Sequence, residues 1–238
     1  MAYDLKSLDS GQTLADQSYK MLREAISDGR LAPGEVLTER GLAASLAVSP
    51  TPVREALRRL EQDKLIERSG PRTVEVAKFD KVALAEIGMV EDSLKSIAAR
   101  LAAEKISAAE LDVLTAILED ADAAVDALVA ALERTGPTSA ETRERADQLA
   151  WLNRRFHTRI NAACGNDVIR HLIENVEIFG LAERKSALRS QVAEGDIRLR
   201  ERYADHQRIL AALRARDAEL AAALVEKHNR AARAAFLE

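Results

Sequence analysis

The chain has 238 residues, of which 47% are hydrophobic and only 3% aromatic, and its formal net charge is −4. That length can bury a substantial core in one or two domains, and an alanine- and leucine-rich, aromatic-poor composition favours helices over a large sheet. A single cysteine, Cys164, excludes an intrachain disulfide and a thiolate metal cluster; the charged start MAYDLKSLDSG and the lack of any run approaching ~20 apolar residues argue against a signal peptide or membrane span, so the expected location is cytoplasmic.

In chain order, Leu14, Tyr19, Leu22, Ala25 and Ile26 form the apolar stripe of a first helix, ended by Gly29. Pro33-Gly34 supplies a turn, and Val36-Leu37 leads to Thr38, the N-cap of a short helix from Glu39 to Leu46 that faces Leu42 and Leu46 inward. Residues 48 to 76, VSPTPVREALRRLEQDKLIERSGPRTVEV, carry the third helix and a β-hairpin. Ser49 is an N-cap and Pro50 suits the first helical position, where its missing N–H would have had no partner. Val53, Leu57 and Leu60 recur at helical spacing as the buried stripe, leaving Thr51, Arg54, Arg58 and Arg59 to other faces. Leu65 to Arg68 and Thr73 to Val76 alternate as strands around Ser69-Gly70-Pro71-Arg72, and these are the only strand candidates. Helix, helix, turn, recognition helix and wing is the order of a winged helix-turn-helix, in which the third helix enters the major groove of DNA.

Charge is a weaker signal. Residues 1–78 hold twelve Lys or Arg against twelve Asp or Glu, and the local basic excess over residues 49–72 is modest. Lone charges on a helix surface are usually solvated, so Glu55, Arg58 and Arg59 receive no role.

The run LREAISDGRLAPGEVLTERGLAASLAVSPTPVREALRRLEQDKLIERSG resembles the winged-helix domain of the GntR group of bacterial transcription regulators. The shared pattern combines the PGE turn with TPVREAL, which an unrelated helix-turn-helix would not. The resemblance implies that Arg40, Ser49, Thr51 and Arg54 contact operator DNA and that Gly70 sits at the wing tip. Many members carry Arg where Pro50 stands, and there it reads a guanine; readout at that base must differ here.

From Asp80 onward the period is 3.6. Asp80 caps a long helix whose apolar positions are Val82, Ile87, Val90, Leu94, Ile97 and Leu101. Ser107 and Glu110 form a capping box, as do Thr138 and Glu141; Asn166, Asp196 and Asp217 cap later helices. The fold expected is mainly α: a winged helix-turn-helix with a small β-hairpin wing over 1–78, and an antiparallel all-helical bundle of six or seven helices over 79–238.

The bundle contains one chemical constellation. Asn153 and His157 are four residues apart and share a helix face. His206 and His228 each lie eleven residues from Asp217, so a chain reversal there sets both at one depth, about 16 Å from the turn at ~1.5 Å per residue. Three imidazoles and an amide oxygen suit a divalent ion, zinc, nickel, cobalt or manganese, with coordination positions left open. Spacing alone leaves packing histidines equally acceptable, and His171 has no such companion.

Residues 80–238 resemble the all-helical FCD domain of the FadR subgroup, through NRRFHTRINAACGN and DHQRILAALRARDAELAAALVEKH. That resemblance implies a metal held by Asn153, His157, His206 and His228, zinc or nickel first, with Asn153 in place of the more usual Asp. It also implies a homodimer and a small organic-acid effector. Glu91 and Lys95 stand where many members have Arg and Glu. The expected function is therefore a non-enzymatic regulator, a repressor, that binds double-stranded operator DNA under effector control. A metal-dependent enzyme fused to a winged helix and a protein-interaction scaffold rank below it.

Overall fold

The computed structural model describes residues 12–177, 192 and 199–237. The chain divides into two compact units, Met1–Lys78 and Phe79–Glu238.

The first unit opens with α1 (Leu14–Ser27), capped by Thr13 in a reciprocal box with Asp16. It ends at Asp28, and Gly29 follows with φ +72°, a left-handed conformation that glycine adopts without cost. Leu22 faces the core, but Leu14, expected there, is 55% exposed, and Ala15 and Ser18 take the inward places. After β1 (Val36–Thr38) come α2 (Glu39–Ser45), whose N-cap Thr38 accepts from the Gly41 N–H, and α3 (Pro50–Gln62). Val53, Ala56, Leu57 and Leu60 of α3 are buried, as are Leu22 of α1 and Leu42 of α2, and α3 packs against both of those helices. The wing is β2 (Ile66–Gly70) and β3 (Thr73–Val76), antiparallel, with an irregularity in register between Arg68 and Gly70.

The sheet has a third strand that the sequence reading did not expect. β1 pairs antiparallel with β3, Leu37 opposite Val74, giving the order β1-β3-β2. Only Leu37 of its three residues is buried, so the alternation that announces a strand is too short to register.

In the second unit six helices lie among the described residues: α4 (Lys81–Lys105), α5 (Ala108–Thr135), α6 (Ala140–Ala163), α7 (Asp167–Glu177), α8 (Leu199–Arg214) and α9 (Ala218–Leu237). Asp80 caps α4, Ser107 and Glu110 form the box of α5, and the side chains of Asn166 and Asp217 accept from the first turns of α7 and α9. The cap of α6 is Ser139, one residue beyond the expected Thr138: the Ser139 hydroxyl accepts from the Thr142 N–H. The expected cap Asp196 lies outside the described residues. One core joins α4, α5, α6, α8 and α9 through Ala99, Ala102, Ile106, Leu114, Phe156, Ile160, Leu213 and Val225. No helix of the described residues is long and apolar enough to cross a membrane.

The orientation of α4 overturns the expected apolar stripe. Val82, Val90 and Ile97 are 67%, 53% and 46% exposed, and the buried face is Glu91, Asp92, Lys95, Ala98, Ala99, Ala102 and Ala103. Alanines let α4 lie close along α9, and the charges are tolerated because they neutralise one another: Lys95 meets Glu91 at 2.8 Å and Glu177 at 3.2 Å, and Asp92 pairs with Arg233. Burial still raises the Asp92 carboxyl above its ordinary value, Arg233 opposing the shift.

Candidate DNA interface and metal centre

In the first unit the outer face of α3 follows from the inner one. With Val53, Ala56, Leu57 and Leu60 buried, Thr51, Glu55, Arg58 and Gln62 project the opposite way, and all four are exposed. Ser49 has the extended backbone of an N-cap, but its side chain makes no cap hydrogen bond. Pro50 and Pro52 contribute no N–H, so what the first turn presents is the exposed hydroxyls of Ser49 and Thr51, groups suited to a phosphate oxygen.

The arginines of this unit sort by what holds them. Arg54 donates through Nε and Nη2 to Glu39 Oε2 at 3.2 and 3.0 Å, and Glu39 is buried at the start of α2. Arg59 turns inward, 2.7 Å from Asp16 and 4.0 Å over the ring of Tyr19. Tyr19 donates to Asp63 at 2.5 Å, and burial first, then that bond, pushes its hydroxyl up to about 12. Arg59 is thus part of the staple between α1 and α3. Arg40 and Arg58 are exposed and form no ion pair among the described residues. In the wing, a Cβ on Gly70 would lie 2.5 Å from Thr73 Oγ1, so a larger residue there would displace the Thr73 hydroxyl. The sequence reading missed Glu39, Asp16 and Tyr19 as partners, because the residues they hold are 15 to 44 positions away and leave no local signal.

In the second unit, α6 supplies Asn153 and His157, α8 supplies His206 and α9 supplies His228. The chain reverses between α8 and α9 at Arg216, φ +54°, and Asp217, and this sets the two histidines side by side with ring centroids 4.4 Å apart. His157 completes the group: its Nε2 lies 3.1 Å from that of His206, its ring stacks on His228 at 5.1 Å, and one nitrogen of each imidazole lies within 4.8 Å of the others. His206 and His228 are buried and His157 is half-buried. Phe156 walls the cluster, edge-on to His157 and His206 at 5.6 and 5.2 Å.

The donor set fits a divalent ion. Two nitrogens each about 2.0–2.1 Å from a tetrahedral zinc ion would lie about 3.3 Å apart, close to the 3.1 Å between His157 Nε2 and His206 Nε2. Asn153 Oδ1 is buried and has no hydrogen-bond partner among the described residues, and a cation is the kind of neighbour that would satisfy it. His171 is exposed, pairs with Asn175 on its own helix at 3.1 Å, and stands apart from the cluster. Cys164 is buried at the end of α6, its carbonyl accepting from Lys105 Nζ at 2.8 Å.

Residues 14–76 match the bacterial regulatory proteins of the gntR family, and residues 86–231 match the FCD domain. The chain belongs to the gntR family of regulators with an FCD domain. Over 160 residues it is 28% identical to the uncharacterized HTH-type transcriptional regulator YdhC of Bacillus subtilis (strain 168), a match spanning 67% of this chain and 65% of that protein, just under two thirds of its length. It is 27% identical over 213 residues to the HTH-type transcriptional repressor GlaR of Escherichia coli (strain K12), covering 88% of this chain and 90% of that one. The solved structure of E. coli McbR/YncC superposes with a TM-score of 0.71 at 26% identity, over 94% of this chain and 97% of that one. A gntR-family regulator with an FCD domain is a DNA-binding transcription regulator and not an enzyme, and the gntR match falls within unit 1.

Proposed function

We propose that this gntR-family protein is a cytoplasmic homodimeric repressor whose affinity for double-stranded operator DNA is set by a small carboxylate metabolite bound in the FCD domain. Arg40, Ser49, Thr51, Arg54 and Gly70 form the contact surface for DNA. Asn153, His157, His206 and His228 hold a divalent ion, zinc or nickel first, with manganese or cobalt as further occupants.

The observation that carries this reading is the meeting of three imidazoles from three helices, together with a buried amide oxygen, Asn153 Oδ1, one helical turn before His157 on α6, that has no hydrogen-bond partner among the described residues. All four are neutral ligands, so a bound ion keeps a net charge near +2 and offers open positions to a carboxylate. His157 and Asn153 orient from one face of α6, His206 and His228 clamp from the α8–α9 hairpin, and Phe156 keeps one side of the site dry. An effector bridging these helices stabilises one packing of the bundle over another, and that difference is what DNA affinity reads.

The test combines elemental analysis of untagged protein, wild type beside His157→Ala, with DNA titrations at one fixed salt concentration using a duplex from the protein's own upstream region. Near-stoichiometric metal lost in the variant, and a carboxylate that shifts the wild-type titration only, would support the proposal. Absence of metal even after reconstitution with zinc or nickel would leave the histidines as packing residues.

A further inference from the structure

The exposed side of α4 carries large apolar residues, and about Ser93 it is self-complementary at two pairs, Met89 with Ile97 and Glu86 with Arg100, while Val90 falls opposite Ser96 and Val82 opposite Glu104. Taking Ser93 as the centre, Val82, Glu86, Met89, Val90, Ile97 and Arg100 all fall within about 60° of it around the helix at 3.6 residues per turn. Val82, Met89, Val90 and Ile97 are exposed, directly opposite the buried Glu91, Lys95, Ala98 and Ala102. Four large apolar side chains along one open helix face are more than scattered surface hydrophobicity.

We propose that this face of α4 packs against α4 of a second copy, antiparallel, with the two-fold axis at Ser93. The proposal rests on the homodimer reading above and adds its location and register. In such a pairing, residues equally far from Ser93 on either side meet, as an isologous contact requires. Met89 then meets Ile97 of the second copy, apolar on apolar. Glu86 meets Arg100 of the second copy, opposite charges, and the same two contacts recur across the axis. Glu86 is exposed and makes no ion pair among the described residues. Arg100 pairs with Glu219 of its own chain while 44% exposed, and its guanidinium fork has donors to spare for a second carboxylate. Pairing in the parallel sense would instead set Glu86 beside Glu86. Serine at the centre is small enough for close approach, whereas a bulky residue there would hold the helices apart.

The geometry gives a direct test. Helix axes about 8–10 Å apart, with Cα atoms about 2.3 Å from each axis, leave the two Ser93 Cα atoms about 3.4–5.4 Å apart, the wider spacings falling within disulfide range. Full-length Ser93→Cys should become a covalent dimer under oxidised glutathione, and the wild type, whose Cys164 is buried, should not. In light scattering, Glu86→Arg alone and Arg100→Glu alone should each weaken the dimer about tenfold or more, and the double exchange should restore it. A dimer that neither crosslinks through Ser93→Cys nor responds to the charge exchange would overturn the proposal and leave the dimer standing on another surface, with α4 covered by the chain's own winged helix or left bare. A wild type that stays monomeric at all concentrations would overturn both the proposal and the dimer reading. Far-UV circular dichroism and melting curves, unchanged in each variant, separate these outcomes from misfolding.

Discussion

Arg54 on the recognition helix and Glu39 at the head of α2 are tied through one carboxylate oxygen that accepts from two guanidinium nitrogens, the acid buried and the arginine half out in solvent. In the proposed DNA interface the pair would aim the Arg54 guanidinium by means of a residue that is itself buried. Glu39→Gln should therefore lower DNA affinity about tenfold, ~1.4 kcal/mol, while the melting temperature moves little, because an amide can still accept one of the bonds. Arg54→Ala should lower both, since it strands a buried carboxylate. Fluorescence anisotropy on a DNA duplex beside a thermal melt separates the two; equal affinity in Glu39→Gln would show that Arg54 needs no such aim.

Arg40 and Arg59 make opposite predictions. Arg40 is exposed without an ion pair among the described residues, so Arg40→Ala should weaken DNA binding about five- to tenfold and reduce the salt dependence of binding by about one unit, with stability intact. Arg59 is held by Asp16 and by the Tyr19 ring, so Arg59→Ala should cost about 1 kcal/mol of stability in the first unit and leave the salt dependence unchanged. A salt slope that falls for Arg59→Ala would move it from the staple to the DNA.

Metal held by the three histidines should stabilise the native state by mass action, about 2.7 kcal/mol when free metal is a hundred times its dissociation constant. A chelator should then lower the melting temperature of the wild type by several degrees and leave that of His206→Ala where it is. Equal response of the two proteins to the chelator would separate the histidines from any bound metal.

The capping box of α5 gives a pH dependence with a defined sign. Glu110 accepts from the backbone N–H and the hydroxyl of Ser107, and the backbone bond first, then the hydroxyl, hold its carboxyl below the ordinary 4.5. A lowered folded-state value means that the stabilisation is complete above pH 4.5 and is lost as pH falls through the depressed value. Ser107→Ala should cost ~1 kcal/mol at neutral pH. The stability gap between wild type and Glu110→Gln, followed by denaturant titration, should close in acid; a gap constant down to pH 2 would mean the carboxylate contributes nothing through its charge.

Much of the fold is legible because its signals are local. Asp80, Ser107 with Glu110, Asn166 and Asp217 cap their helices within three residues of themselves. The symmetric placement of His206 and His228 about Asp217 is equally readable, since one tight reversal suffices to align them. Where two candidates stand side by side, as Thr138 and Ser139 do, sequence cannot choose, because either hydroxyl reaches a first-turn N–H. The facing of α4 is illegible for a deeper reason. Hydrophobicity places valine and isoleucine inside, yet the inner face is built from alanine and from charges whose partners, Glu177 and Arg233, lie 82 and 141 residues away. The ties that turn Arg59 inward and fix Arg54 are long-range in the same way.

The alanines of α4 have one further consequence. Ala99, Ala102 and Ala103 share a core with Ala221 and Val225 of α9, and alanine has no χ1 to change. A seam made largely of methyl groups cannot absorb a push by repacking its rotamers, as leucine-rich seams do. At this seam the small side chains leave little to rearrange, which favours α9 and α4 moving together. α9, which carries His228, is in this way held against α4 by a layer of small side chains, a stiff seam between the two helices rather than a cushion.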